Sequence, residues 1–151
     1  MTEHVTTSLD AGVLSVTLAR PDKKNALTNA MYGALADALH RAETDPAVRV
    51  VLLQGDGDSF TAGNDLSDFA AQSQGLHKGE RHVLRFLDGL ARATRPLVAA
   101  VQGNAVGVGT TMLLHCDLVY VADTARLTTP FVNLALVPEA ASSLLLPARI
   151  G

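Results

Sequence analysis

The chain of 151 residues carries a formal net charge of −3, with 48% hydrophobic residues, 4% aromatics and no Trp. That length makes a single domain, residues 1–151, able to bury about two-thirds of its unfolded surface, around a core built from closely packed Ala, Val and Leu. Scattered basic residues argue against nucleic acid and anionic membranes, the lone Cys116 excludes an internal disulfide framework, and the polar start MTEHVTTSLD has no secretory apolar region, so the sequence reads as cytoplasmic.

Alternation over residues 13–18, closed by Arg20-Pro21, predicts a strand. A polar turn over residues 22–25 follows. Thr28 then stands as the N-cap of an amphipathic helix carrying Met31, Leu35, Ala38, Leu39 and Ala42, which ends near Asp45-Pro46. Residues 48–53 are β-branched and apolar, the pattern of a strand buried on both faces, and they run into the turn Gly55-Asp56-Gly57-Asp58. In SFTAGNDLSDF, small residues through Gly63 precede Asp65, the cap of a short helix. Backbone amides could approach a ligand there, or the piece is an ordinary Asx-capped turn. Residues 71–80 are polar and read as a surface segment, either a lid or merely loose.

Helical spacing resumes at Val83, Phe86, Leu87 and Leu90. A third apolar strand, residues 96–101, leads into a loop punctuated by Gly103, Gly107 and Gly109, and then into a helix-like run without charge until Asp117. Glycines allow close backbone approach, and the amides at a helix start are unpaired, so this loop suits a phosphate or a developing oxyanion. A tight strand-to-helix turn is the alternative. The glycine spacing fits neither the dinucleotide fingerprint nor the phosphate-binding loop. The uncharged run is broken by Gln102, Asn104 and the glycines and lacks basic flanks, which favours a buried strand–turn–helix over a membrane span. Residues 118–122 and 125–129 read as two more strands, and residues 131–137 as an apolar connection. Residues 138–143 open a final helix-like piece, LLLPARIG, broken by Pro147. Strands alternating with helices predict an α/β layered fold.

Three stretches together, RPDKKNALTNAMYGAL, VRVVLLQGDGDSFTAGNDLSDF and RPLVAAVQGNAVGVGTTMLLHCDLVYVADTARLTTPFVNLALVPEAASSLLLPARIG, resemble the crotonase superfamily of enoyl-CoA hydratases and isomerases. They do so in order and along almost the whole chain. The resemblance implies a spiral of ββα units, here lacking the C-terminal helical region such proteins carry, and an acyl-CoA thioester as substrate. Coenzyme A enters only as part of that substrate, with no separate cofactor. The two amides that polarise the thioester carbonyl fall on Ala62 and Val108. Contacts with CoA or substrate are implied for Lys24, Ala26, Ala62, Gly63, Asp65, Leu66, Gly107 and Val108. A homo-oligomer, trimer or hexamer, is also implied, and the apolar LLLPARI would be an exposed patch for a partner copy.

The hydratases of this superfamily carry one glutamate two residues after the last glycine of the loop and another after a proline. This sequence has Thr111 and Phe131 there, and neither moves a proton at neutral pH. Glu139, in LVPEAASS, falls on the position of the single base in the Δ3,Δ2-enoyl-CoA isomerases. A Glu after Pro is also a common first-turn helix residue. The apolar neighbours Val137 and Leu144 to Leu146, the lack of another carboxylate in the matching segments, and the resemblance itself together favour the base, and an apolar pocket would raise its pKa. Enoyl-CoA isomerisation is the expectation; hydration, another thioester-enolate reaction, or acyl-CoA binding without turnover are the alternatives. His115 and Cys116 read as buried and structural, His77 and His82 as solvated, Asp65 and Asp68 as caps. No metal is expected, because none of these has ligand spacing.

Overall fold

A computed structural model describes residues 2–73 and 79–151. Strand β1 (Val5–Asp10) pairs antiparallel with β2 (Val13–Leu18) through a turn at Ala11 and Gly12, both at positive φ. The predicted elements omit β1. Of its residues only Val5 is buried, so no apolar alternation marks it; the β-branched Thr6 and Thr7 before an Asp-Ala-Gly turn were the available signal. In β2 the alternation works as expected, burying Leu14, Val16 and Leu18.

Thr28 caps α1 (Asn29–Thr44), its Oγ1 accepting from the Met31 amide at 3.3 Å. This satisfies one of the amides a helix start leaves open. Met31, Tyr32, Leu35, Ala38, Leu39 and Ala42 form its buried face. Next comes β3 (Val50–Gly55), starting two residues later than expected. Its Val51 and Leu53 are buried while Val50 and Leu52 are only partly so; the two faces are unequally covered, contrary to the reading of a strand buried on both.

The remaining elements are α2 (Leu66–Ser73), α3 (His82–Arg92), β4 (Leu97–Val101), β5 (Asn104–Val106), α4 (Val108–Thr111), β6 (Leu118–Val121), β7 (Arg126–Thr128) and α5 (Ser142–Ile150). The polar segment over residues 71–80 falls in part outside the described residues. The helix-like run after Gly109 is shorter than expected: α4 has one turn and passes into a 3-10 turn, Met112–His115. Pro147 does not end the last helix, which continues to Ile150 with the Gly151 amide bonded to the Pro147 carbonyl at 2.9 Å. Proline removes one donor and strains one turn, and here the surrounding turns still close.

The main sheet has the order β1-β2-β3-β4-β6, parallel from β2 onward, and β5 and β7 form a separate parallel pair. Helices α1 and α3 pack together over the sheet, with the Tyr32 and Phe86 rings 5.6 Å apart. The other side of the C-terminal third is open: Leu118, Tyr120, Val132, Val137, Leu144 and Ile150 are exposed. Among the described residues no helix is long and apolar enough to cross a membrane.

Candidate active site

The segment after β3 runs between two neighbours and is bonded to both. On one side the Thr61 amide donates to the Asn104 carbonyl at 2.9 Å and the Val106 amide to the Thr61 carbonyl at 3.0 Å. On the other, the Ala62 amide donates to Lys24 O at 2.8 Å, the Leu27 amide to Gly63 O at 2.8 Å and the Asp65 amide to Leu27 O at 2.9 Å. Residues 24–27, 61–65 and 104–108 are therefore aligned side by side, and the ladder assembles the positions implied for substrate contact.

Asn25 locks this junction. It is fully buried at positive φ, and its Oδ1 accepts from the Arg20 amide at 2.8 Å. Its Nδ2 donates to the carbonyls of Asp56 and Ser59, each at 2.8 Å, and the Asn25 carbonyl accepts from Thr61 Oγ1 at 2.6 Å. Two glycines are required by geometry. A Cβ on Gly63, at φ 84°, would lie 2.7 Å from the Val106 carbonyl oxygen, so only glycine lets these loops meet. Gly107, at φ 57° and ψ −118°, turns the chain into α4, and the space beside it is open.

Of the two amides that the resemblance implies as carbonyl donors, one does not fit the structure. It is that of Ala62, whose N–H is already bonded to Lys24 O. Extended backbone alternates the direction of successive amides. The bridge between Leu27 and Asn64 uses Gly63 O and Asp65 N, which turns the Asn64 amide the other way. Among the described residues that amide has no protein acceptor, and Asn64 is exposed. The available signal was the residue following a positive-φ glycine, where the chain direction changes. Val108 opens α4, and its amide has no acceptor among the described residues, whereas those of Thr110 and Thr111 bond to Gly107 O at 2.9 and 3.0 Å.

Glu139 reaches this region from the loop before α5. The buried Thr111, on the same turn as Val108, donates through Oγ1 to Glu139 Oε1 at 2.5 Å. Burial raises the Glu139 pKa above its ordinary value, opposed by the Thr111 hydrogen bond and by the charge of His115. From α1, the buried Tyr32 hydroxyl donates to Asn64 Oδ1 at 2.5 Å. Burial, and then the charges of Glu139 and Asp68, push its own pKa up. Asn64, Tyr32, Glu139, Thr111 and Val108 thus belong to one neighbourhood, in which the Asn64 and Val108 amides, without acceptors among the described residues, accompany a half-buried carboxyl.

The other candidates are placed differently. Asp65 was expected at the substrate, but its carboxylate is fully used by the protein. Oδ2 accepts from Arg20 at 2.7 Å, and Oδ1 from the Ser67 amide at 3.1 Å, the Ser67 hydroxyl at 2.5 Å and the Asp68 amide at 3.2 Å. The Ser67 hydroxyl first and Arg20 second hold it well below the usual carboxylate range, so Asp65 is an ion-paired cap of α2. Lys24 is exposed and pairs with Asp58 at 2.6 Å, Ala26 accepts from Arg20 at 3.0 Å, and Leu66 projects into solvent. His82 is not freely solvated: its ring lies against Gly33, and its amide donates to Asn29 Oδ1 at 3.0 Å. His115 is partly buried, and its Nε2 lies 2.9 Å from the Ala140 carbonyl, which fixes the proton on that nitrogen. Phe131 is partly exposed beside the 3-10 turn Val132–Leu134. His77 lies outside the described residues. Among the described residues no three His, Cys, Asp or Glu side chains assemble into a metal-binding group.

Comparison with known proteins gives consistent matches. The family model for enoyl-CoA hydratase/isomerase matches residues 8–151. Enoyl-CoA delta isomerase 2 of Rattus norvegicus is 39% identical over 146 residues, covering 94% of this chain and 37% of the relative. The 1,2-epoxyphenylacetyl-CoA isomerase of Escherichia coli K12 is 33% identical, covering 100% of this chain and 60% of the relative. The crystal structure of an enoyl-CoA hydratase/isomerase from Pseudoalteromonas atlantica T6c superposes with a TM-score of 0.92 at 50% identity, over 99% of this chain and 58% of that one. The chain thus spans between 37% and 60% of the length of these three proteins.

Proposed function

Because this chain belongs to the enoyl-CoA hydratase/isomerase family, we propose that it binds an acyl-CoA thioester and moves a double bond from C3 to C2 of the acyl chain, with Glu139 as the only base. The observation that carries this reading is the half-buried Glu139 carboxyl, held by Thr111 one helical turn from the unengaged Val108 amide. The amides of Asn64 and Val108 are the pair available to a thioester oxygen.

The chemistry follows from that arrangement. Glu139 takes a proton from C2, and the electron pair of the C–H bond passes through C1 to the thioester oxygen, giving a dienolate. Two preorganised N–H donors at that oxygen lower the barrier by about 3 kcal/mol each. The same carboxyl then returns the proton at C4, and the double bond settles between C2 and C3. A raised pKa suits this work, since a base near neutrality both accepts and releases the proton.

Hydration needs a second carboxyl to position water, and Thr111 occupies the place where the resemblance would put it; a hydroxyl bonded to Glu139 cannot supply one. The exposed apolar side chains Leu118, Tyr120, Leu144 and Ile150 support self-association, which sedimentation would read directly.

The test supplies a 3-enoyl-CoA and a 2-enoyl-CoA separately and follows double-bond migration and hydration. Migration without hydration, lost in Glu139→Gln while CoA-thioester binding persists, is the expected result. Binding without turnover by folded wild-type protein would identify a carrier instead, and hydration surviving Glu139→Gln would contradict the assignment of the base.

A further inference from the structure

We propose that Thr111 and His115 are positioning residues that together fix the Glu139 carboxyl, Thr111 by binding one of its oxygens and His115 by clamping the backbone immediately after it. The inference rests on the reading of Glu139 as the base, and it assigns to Thr111 and His115 a task that their chemistry alone does not reveal.

The loop holding Glu139 has a conformation that needs external support. Ala140 and Ala141 follow it at φ 52° and 54°, two successive non-glycine residues in the left-handed region. Such residues persist only where the surroundings enforce them. Two contacts do so from the other side of the site. The Ala140 carbonyl accepts from His115 Nε2 at 2.9 Å, and Glu139 Oε1 accepts from Thr111 Oγ1 at 2.5 Å. Both donors come from the α4 turn and its 3-10 continuation, the segment that opens with the Val108 amide. The Thr111 amide is itself tied to Gly107 O at 3.0 Å. The base and one carbonyl donor are therefore referenced to one short rigid piece of chain.

The contact also distinguishes the two carboxyl oxygens. Oε1 is taken by Thr111, while among the described residues Oε2 has no protein partner. Oε2 is the oxygen left to carry the proton between C2 and C4. The other ionisable groups felt around this carboxyl are His115, on the 3-10 turn, and Tyr32, on α1. The Thr111 hydrogen bond favours the ionised carboxyl, so its removal moves the Glu139 pKa further up.

The test compares wild type with Thr111→Val, Thr111→Ser, His115→Ala and His115→Gln, using turnover of a 3-enoyl-CoA together with a carbon-13 NMR titration of the Glu139 carboxyl. Thr111→Val should lower kcat at least about tenfold with KM little changed, since misplacing a reacting group costs rate before affinity. It should also shift the rising limb of the pH–kcat profile, and the NMR titration, to higher pH. Thr111→Ser restores both, because the donor is restored. His115→Ala lowers kcat, and His115→Gln, which can still donate to the Ala140 carbonyl, recovers most of it.

Wild-type kcat and an unmoved carboxyl titration in Thr111→Val would overturn the proposal, as would a serine variant no better than valine. Failure of the underlying reading looks different. Glu139→Gln would then turn over like wild type, or wild type would not turn over at all, whatever the titration shows; either result removes the positioning role with the base it serves.

Discussion

The Tyr32 hydroxyl, buried on α1, donates to the side-chain oxygen of Asn64 at 2.5 Å. It thereby ties the core helix to Asn64, whose amide, unlike that of Ala62, has no protein acceptor among the described residues. Tyr32→Phe deletes the donor but leaves the ring against Phe86 in place. Water can reach the exposed Asn64, so the loss in stability should be small, about 1 kcal/mol by chemical denaturation. Turnover of a 3-enoyl-CoA should fall several-fold because Asn64 loses its anchor. The pH profile should keep its shape, since burial keeps the phenol neutral through the working range. An unchanged kcat would separate Asn64 from catalysis.

Asn25 should be among the most sensitive positions in the chain. Its side chain serves the Arg20 amide and the carbonyls of Asp56 and Ser59 in a fully buried place. Asn25→Ala leaves these groups without partners and puts alanine at φ 55°. Unsatisfied buried groups cost about 1–3 kcal/mol each, so a total loss of about 3–5 kcal/mol is expected in urea unfolding. A loss below about 1 kcal/mol would mean that the junction under the site does not depend on this residue.

Asp65 links stability to acid pH. Its folded pKa is depressed below that of the unfolded chain, near about 3.9. The ionised form therefore stabilises the fold fully at pH values well above the unfolded pKa, and the contribution is lost as pH falls through the folded one. Asp65→Asn should lower stability at neutral pH and flatten its fall below about pH 4. Parallel acid-unfolding curves for the two proteins would exclude the Arg20–Asp65 pair as the cause.

Cys116 should behave as an inert thiol. Burial first, and the neighbouring Asp117 second, push its pKa up to about 12, with Arg149 opposing. Reaction with a disulfide reagent at pH 8 should then be limited by unfolding and accelerate with denaturant. Rapid labelling of the native protein would show an accessible thiolate.

The parts of this fold visible in the sequence are those with a strong period or a distinct cap. Thr28 announces α1, the apolar alternation announces β2, and the glycine loops announce where backbone amides are exposed. What was hidden depends on partners remote in sequence. β1 shows no apolar alternation, since of its residues only Val5 is buried, and its pairing with β2 carries more weight than the weak signal of Thr6 and Thr7. Which amide of the TAGND loop stays open depends on residues 24–27 docking beside it, some 40 positions earlier in the chain. Asp65 was legible as a cap, but its ion pair with Arg20 was not. The role proposed for Glu139 came from the resemblance, and the structure adds the hydroxyl that holds its carboxyl.

The central claim is that the carboxyl of residue 139 removes a C2 proton from a CoA thioester. It is tested most directly by incubating the protein with a saturated acyl-CoA in deuterium oxide and following deuterium at C2 by mass spectrometry, a readout that needs no double bond to move. The account predicts wash-in of deuterium by wild type and its fall to the uncatalysed level in Glu139→Gln with thioester binding intact. Equal exchange by the two proteins, or none by a wild type that binds the thioester, would contradict it.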